Sequence, residues 1–440
     1  MLRRVLLFGF ALFLVPRPAL ADLNEVGINS HIPAADVVQL ADDSGVHWIR
    51  VDNNWLQQAS PCSDNIGWFA PLDTSVTEAL SRGLKVYMTL AYTPSCASLG
   101  DTDGSPNNDI PNPTLYANYT RQAVGHYRAM GVTHFGLWNE ANLSQFFEGS
   151  AAQYVSNVLV PGAPAVAAGC VDAGFSDCQV LGPDLAHVGD YDVFLEDTLD
   201  SMNAAGVNFD IFTHHIYNSH TGTVFSGDSF INALEMRRFS FTRRSLIDVL
   251  TDTGHATNGV PDYEIWITET GYRAQPATDP DEMATQSSYY MATLDVQLGR
   301  PWYTNTIFYE IVDSGDEIDG FGVTRRDGAG FVLKDAFLAL QNRIATDPGF
   351  DPTAGPPDAG PGGTVADAGP PGTGDPDAGS GGDPGAGSDA GIGEPEANGG
   401  GCAVSNGRPA GGLVALLLLF AVTRRRLPIS AGLENCSHAR

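Results

Sequence analysis

The sequence predicts an α/β chain built around a (β/α)₈ TIM barrel, on three observations. From about Asp22 to Ile344, short apolar runs rich in β-branched and aromatic residues alternate with stretches of helical periodicity. The runs are Glu25–Ser30, Trp48–Asp52, Lys85–Ala91, Thr133–Trp138, Gln179–Gly182, Phe209–Thr213, Glu264–Thr268 and Thr306–Tyr309. Eight strand–helix repeats within residues 22–346 suit a closed barrel with long loops. No glycine-rich dinucleotide or phosphate loop follows an early strand, which argues against the rival architecture, an open doubly wound sheet.

In chain order, residues 1–21 read as a signal peptide. Arg3 and Arg4 form a charged start, Val5 to Val15 an apolar run, and Ala19-Leu20-Ala21 a small-residue cleavage site. The apolar run is too short to span a bilayer comfortably, so the mature protein is expected to be exported. Within the barrel, helical spacing is read at Asp73–Ser81, Leu115–Met130, Tyr191–Ala204, Leu234–Leu250 and Met283–Leu298.

Two strands end on carboxylates: Phe135-Gly136-Leu137-Trp138-Asn139-Glu140 and Ile265-Trp266-Ile267-Thr268-Glu269. In a (β/α)₈ barrel, strand C-termini converge on one rim, so the two would meet there. Paired carboxyl groups are what glycosidic bond cleavage requires: one protonates the leaving oxygen, the other attacks or activates water. The charge balance narrows the substrate. Net charge is −29 and the only lysines are Lys85 and Lys334. Such a surface repels nucleic acid and acidic polymers, whose binding needs cations, and favours a neutral oligo- or polysaccharide. A phosphate enzyme is disfavoured on the same ground.

The chain resembles the retaining glycoside hydrolases of clan A, and is most similar to glycoside hydrolase family 39 and the related cellulase-like families. The resemblance spans roughly residues 24–345 and is carried by Trp138-Asn139-Glu140 on strand 4 and Ile267-Thr268-Glu269 on strand 7. Each tripeptide alone is weak; in this order and at this spacing they are specific. The resemblance implies Glu140 as general acid/base and Glu269 as nucleophile of a double displacement without a cofactor. It also implies Asn139 as a hydrogen-bond partner of the sugar 2-hydroxyl and Arg50, which matches the clan's strand-2 arginine, as the partner that keeps the nucleophile ionised. His215 and Tyr217 match a His-x-Tyr after strand 6. Tyr217 is expected to orient Glu269, His215 to contact the sugar or the acid/base, and His214 to face away.

Other rim positions follow from strand ends. His31 ends strand 1 and Tyr92 ends strand 3; both are expected to line the pocket. Trp55, Trp138, Trp266 and Tyr272 are candidate faces for sugar stacking, with Trp138 and Trp266 equally suited to the core. Strand 8 reads Phe308-Tyr309-Glu310, where many relatives carry a tryptophan. Tyr309 is expected to substitute for it, and Glu310 adds a third carboxylate. The alternative to an enzyme is a degenerate barrel that binds carbohydrate without turning it over.

Six cysteines are present, and export permits their oxidation. Cys62 and Cys96, in the loops after strands 2 and 3, suit one bridge; Cys170 and Cys178 suit a small loop before strand 5. Sequence alone leaves the connectivity open. No cysteine–histidine spacing reads as a zinc site, and no metal is expected. Asp101-Thr102-Asp103-Gly104 has a calcium-loop flavour without EF-hand spacing, and reads as a solvated loop.

Residues 347–401 change character. Pro, Gly, Ala and Asp dominate, with Asp-Ala-Gly repeated at 358–360, 367–369, 377–379 and 389–391. The stretch lacks the apolar content to offset ordering entropy and predicts an extended, disordered linker. After Cys402 come the apolar run Leu413–Val422 and Arg424-Arg425-Arg426. Cysteine, short apolar run and arginine cluster in that order resemble the myxobacterial C-terminal sorting tag (MYXO-CTERM). The resemblance implies that residues 402–426 attach the protein to membrane or cell surface, with a tail at 427–440 that such tags usually lack. The catalytic domain itself is expected to act as a monomer.

Overall fold

A computed structural model of the chain describes residues 24–100, 104–217, 227–235, 244–313 and 320–350. The expected signal peptide, linker, sorting segment and tail lie outside these residues.

Eight parallel strands close into a barrel: β1 (Glu25–Asn29), β2 (Trp48–Asn54), β3 (Lys85–Ala91), β4 (His134–Leu137), β5 (Gln179–Ala186), β6 (Ile211–His215), β7 (Glu264–Thr270) and β8 (Tyr303–Phe308). Each pairs with its chain neighbours, and β1 meets β8 at the seam, with Val26 opposite Thr306 and Ile28 opposite Phe308. The strands are nearly continuous buried runs, as expected where helices cover one face of a parallel sheet and the barrel interior the other.

The helices are α1 (Ala35–Asp43), α2 (Ala70–Ser81), α3 (Pro113–Met130), α4 (Ala151–Asp172), α5 (Tyr191–Ala205), α6 (Gly227–Leu234), α7 (Leu246–Asp252), α8 (Pro280–Leu298) and α9 (Asp335–Thr346). Local chemistry sets several boundaries. Asn112 caps α3 by accepting from the amides of Thr114 and Leu115, Pro113 opens it, and Gly131 ends it at φ 126°. Asp279 and Pro280 start α8 in the same way. The periodic stretch Leu234–Leu250 is not one helix. α6 stops at Leu234, and α7 starts afresh where the Ser245 hydroxyl accepts from the Asp248 amide. Strand β5 runs on past Gly182-Pro183 to Ala186, with a register shift between Pro183 and Leu185 that the sequence pattern does not reveal.

The main core fills the space between sheet and helices. A second cluster, Trp48, Tyr87, Leu181, Ile211, Trp266 and Ile307, packs inside the lower barrel. Both expected disulfides form: Cys62–Cys96, joining the loops after β2 and β3, and Cys170–Cys178, closing the turn before β5.

Candidate active site

The upper rim brings strand-end side chains together. Glu140 lies three residues beyond β4 and Glu269 is the penultimate residue of β7; both are buried. One oxygen of each, with a ring nitrogen of His215, falls within a sphere of mutual approach of 4.8 Å. Each carboxyl group has its own holders. Arg50 Nη1 donates to Glu269 Oε1 at 2.5 Å and the Tyr217 hydroxyl donates to Oε2 at 2.7 Å. His215 Nδ1 meets Glu140 Oε1 at 2.9 Å and lies 3.5 Å from Glu269 Oε2.

Arg50 also donates through Nη2 to the Asn139 carbonyl oxygen at 2.8 Å. This fixes the orientation of the Asn139 amide and leaves its NH₂ group for the pocket. Asn29, at the end of β1, accepts a third Arg50 bond at 2.9 Å and donates to the carbonyls of Thr268 and Phe308. His31, Tyr92 and Tyr309 stand just beyond β1, β3 and β8. His31 Nδ1 contacts Asp52 at 2.7 Å, and its Nε2 lies 3.1 Å from the Tyr309 hydroxyl and 3.7 Å from Glu310. The Tyr309 ring packs edge-on to Tyr217 at 6.2 Å, and Tyr92 leans on Trp138 at 6.4 Å. A groove of about 650 Å³ opens beside this wall, lined by Ser30, His31, Glu310, Asp313 and Arg325 among others.

The protonation states follow from this packing. Burial raises the Glu140 carboxyl above its usual range; His215 opposes the rise and the Glu269 charge adds to it. Burial works against a charged His215, but the carboxylates of Glu269, Asp184 and Glu140 outweigh it and push the ring up to about 9. His31 behaves alike: Asp52, Glu310 and Glu269 overcome its desolvation and push it up to about 9.

Backbone strain concentrates here. His31, Tyr92, Trp138, Glu140 and Asp184 all adopt positive φ, at 37°, 74°, 84°, 44° and 50°. Non-glycine residues pay of order 1–3 kcal/mol for such conformations, which persist where surrounding structure over-determines them.

Sequence reasoning missed two members of the site. Asn29 was legible only as the last polar residue of β1. Asp184 is fully buried in the β5 irregularity, accepts hydrogen bonds from Tyr87 and Thr268, and lies 3.5 Å from His215 Nε2 and 3.8 Å from Arg50 Nη2. Tyr87 reaches it because Gly136 has no side chain: the Tyr87 ring occupies the space a Cβ would need. His214 faces away as expected, pairing with His187 at 3.0 Å beside Tyr191. Of the candidate sugar-stacking faces, Trp138 and Trp266 take the core positions equally open to them, and Trp55 and Tyr272 correct the expectation. Trp55 and Trp138 are fully buried, each donating its indole N–H to a backbone carbonyl. Trp266 sits in the lower barrel, and Tyr272 packs on Tyr289 and donates to Glu282. Asp101, Thr102 and Asp103 lie outside the described residues; beside them Ser98 donates to Asp109, and Asn108 donates to the Ser144 carbonyl of the loop after β4.

No family model matches the chain, and no curated protein does. Solved structures do resemble it. A family 39 glycoside hydrolase from the gut symbiont Bacteroides cellulosilyticus superimposes with TM-score 0.53 at 17% identity, over 73% of this chain and 64% of that one. The fold is that of family 39 glycoside hydrolases. A family 39 enzyme from Xanthomonas axonopodis pv. citri gives TM-score 0.51 and 17% identity, over 72% and 65% of the two chains. A family 39 β-xylosidase from Caulobacter crescentus gives 0.52 and 18%, over 74% and 72%. The chain thus spans a little under two thirds of the length of the first two.

Proposed function

We propose that this protein is a retaining glycosidase that cleaves a β-linked neutral glycan by double displacement. The observation that carries the reading is the approach of Glu140 and Glu269 oxygens to within 4.8 Å. Inverting enzymes hold their carboxyl groups roughly 6.5–9.5 Å apart to admit a water, and retaining ones about 5–5.5 Å. Glu269, oriented by Arg50 and Tyr217, attacks the anomeric carbon. The bond from that carbon to the leaving oxygen breaks, its electron pair stays on the oxygen, and the oxygen takes the Glu140 proton. Water then attacks the glycosyl ester, Glu140 takes its proton, and Glu269 departs as carboxylate. The Asn139 NH₂ group is placed to donate to the sugar 2-hydroxyl, a contact that strengthens in the transition state.

The neutral-glycan reading rests on the acidity of the chain and is in keeping with the β-xylosidase among the structures it resembles. A barrel that only binds carbohydrate has no need of a carboxyl pair clamped by two buried cations. Residues 1–21 direct export in this reading, and residues 402–426 hold the monomeric enzyme at the cell surface; removing 402–426 should release it to the medium. The catalytic test is hydrolysis of xylan, mannan, glucan and aryl β-glycosides by the full chain beside Glu269→Gln, with the product anomer followed by NMR. Turnover by the wild type alone, giving the retained anomer first, is expected. Equal background from both proteins overturns the glycosidase reading, and an inverted product overturns the role of Glu269.

A further inference from the structure

The His215 ring is held between two carboxylates, Glu140 Oε1 at 2.9 Å from Nδ1 and Asp184 Oδ1 at 3.5 Å from Nε2. A neutral imidazole carries one N–H and one lone pair, so one of its nitrogens would face a carboxylate lone pair to lone pair. With Glu140 ionised, only the doubly protonated ring suits both neighbours; with Glu140 protonated, the Glu269 carboxylate 3.5 Å from Nδ1 and the Asp184 carboxylate 3.5 Å from Nε2 still set an anion on each side of the ring. Asp184 is itself locked: it lies in the β5 irregularity with φ 50°, accepts from Tyr87 on β3 and Thr268 on β7, and stands 3.8 Å from Arg50 on β2. Its backbone carbonyl accepts the Glu140 amide at 2.9 Å.

We propose that Asp184 is a positioning residue of the glycosidase site, holding His215 as an imidazolium aimed at Glu140 and sharing Arg50 with Glu269. The inference rests on the reading of Glu140 and Glu269 given above. Charge accounting supports it. With Glu140 protonated, the two buried cations Arg50 and His215 are balanced by Glu269 and Asp184. When Glu269 becomes a glycosyl ester and Glu140 has given up its proton, the balance is unchanged, so neither step leaves a bare charge in the buried site. The other ionisable groups near His215 are Glu269 from β7, 3.5 Å from Nδ1, and the neutral His214, which points to the opposite side of β6. His31, Asp52 and Glu310 form a neighbouring group whose charges also reach Arg50 and Glu269.

The test is nitrogen NMR of the full chain labelled with ¹⁵N-histidine, the His215 signals assigned through His215→Asn. At about pH 7.5 both His215 nitrogens should be protonated in the wild type. In Asp184→Asn, with folding verified by its melting curve, the His215 midpoint should fall by about one pH unit or more, and kcat should fall at least about tenfold with KM little changed. A neutral wild-type ring at that pH overturns the proposal even if Asp184→Asn does not fold, as does an unmoved midpoint in a folded variant. The spectra need no substrate. A wild type that hydrolyses nothing therefore sinks the glycosidase reading while the His215 result still decides the role of Asp184.

Discussion

The two ends of the barrel treat the same residue type in opposite ways. His134 opens β4 at the lower end, stacked on Trp266 at 5.3 Å with Trp48 edge-on at 4.6 Å. Burial, aided by the charge of Lys85, lowers it to about 4, so it stays neutral. His215 closes β6 at the upper end among three carboxylates and is pushed up to about 9. Burial works against charge on both rings; at His134 it prevails, and at His215 the neighbouring carboxylates outweigh it. The lower end offers aromatic rings, the upper end anions and positive-φ backbone. The same division separates stability from chemistry, since the lower interior is an apolar layer and the upper rim a network of charged hydrogen bonds.

The sharpest way to break that division is to pair a rim substitution with a lower-barrel one. Glu269→Gln should reduce kcat by at least about a thousandfold with the fold intact. Ile211→Ala should cost about 2–5 kcal/mol of stability in denaturant unfolding while turnover per folded molecule stays within about twofold. If Ile211→Ala silenced the enzyme while still folded, the two ends would not be separable. Glu140→Ala comes next, with a loss of about 10²–10⁴ on substrates with poor leaving groups and much less on activated aryl glycosides, which need little protonation. Equal losses on both would remove Glu140 from the acid role. Tyr217→Phe deletes one of two donors to Glu269 and should lower kcat by about tenfold, since hydrogen bonds to charged groups contribute about 1.5–3 kcal/mol.

The smallest effects sharpen the comparison through pH. His215 is raised from 6.5 to about 9, so its protonation stabilises the fold fully below 6.5 and that contribution is lost as pH climbs through 9. His134 is lowered from 6.5 to about 4, so its contribution is present above 6.5 and is lost as pH falls toward 4. Melting temperature against pH should therefore lose its alkaline slope in His215→Asn and its acid slope in His134→Gln. Variants that alter the other limb would show that surroundings, as described, do not control these rings.

Much of this was legible in the residues. The eight apolar runs mark the eight strands because a buried parallel strand has to be apolar on both faces. Glu140 and Glu269 declare themselves because a carboxylate just past such a run must sit on the rim. The misreadings arise where the backbone departs from regular alternation. Trp55 is a candidate face for sugar stacking by its place just after β2, yet it lies fully buried, stacked on Tyr119. Asp184 was hidden because Gly182-Pro183 reads as a strand end, whereas the strand continues through an irregularity. Asn29 had no motif, since its role is defined by three partners far away in sequence.

Asn29 also shows how far the site reaches into the frame of the barrel. Its amide bridges the seam, reaching the carbonyls of Thr268 and Phe308, while its oxygen steadies the guanidinium of Arg50. The first strand is thus the bolt on the last two and the brace of the arginine that holds Glu269 at once. A substitution at Asn29 would loosen Arg50 on the neighbouring strand, so a change on β1 would reach Glu269 without touching either glutamate.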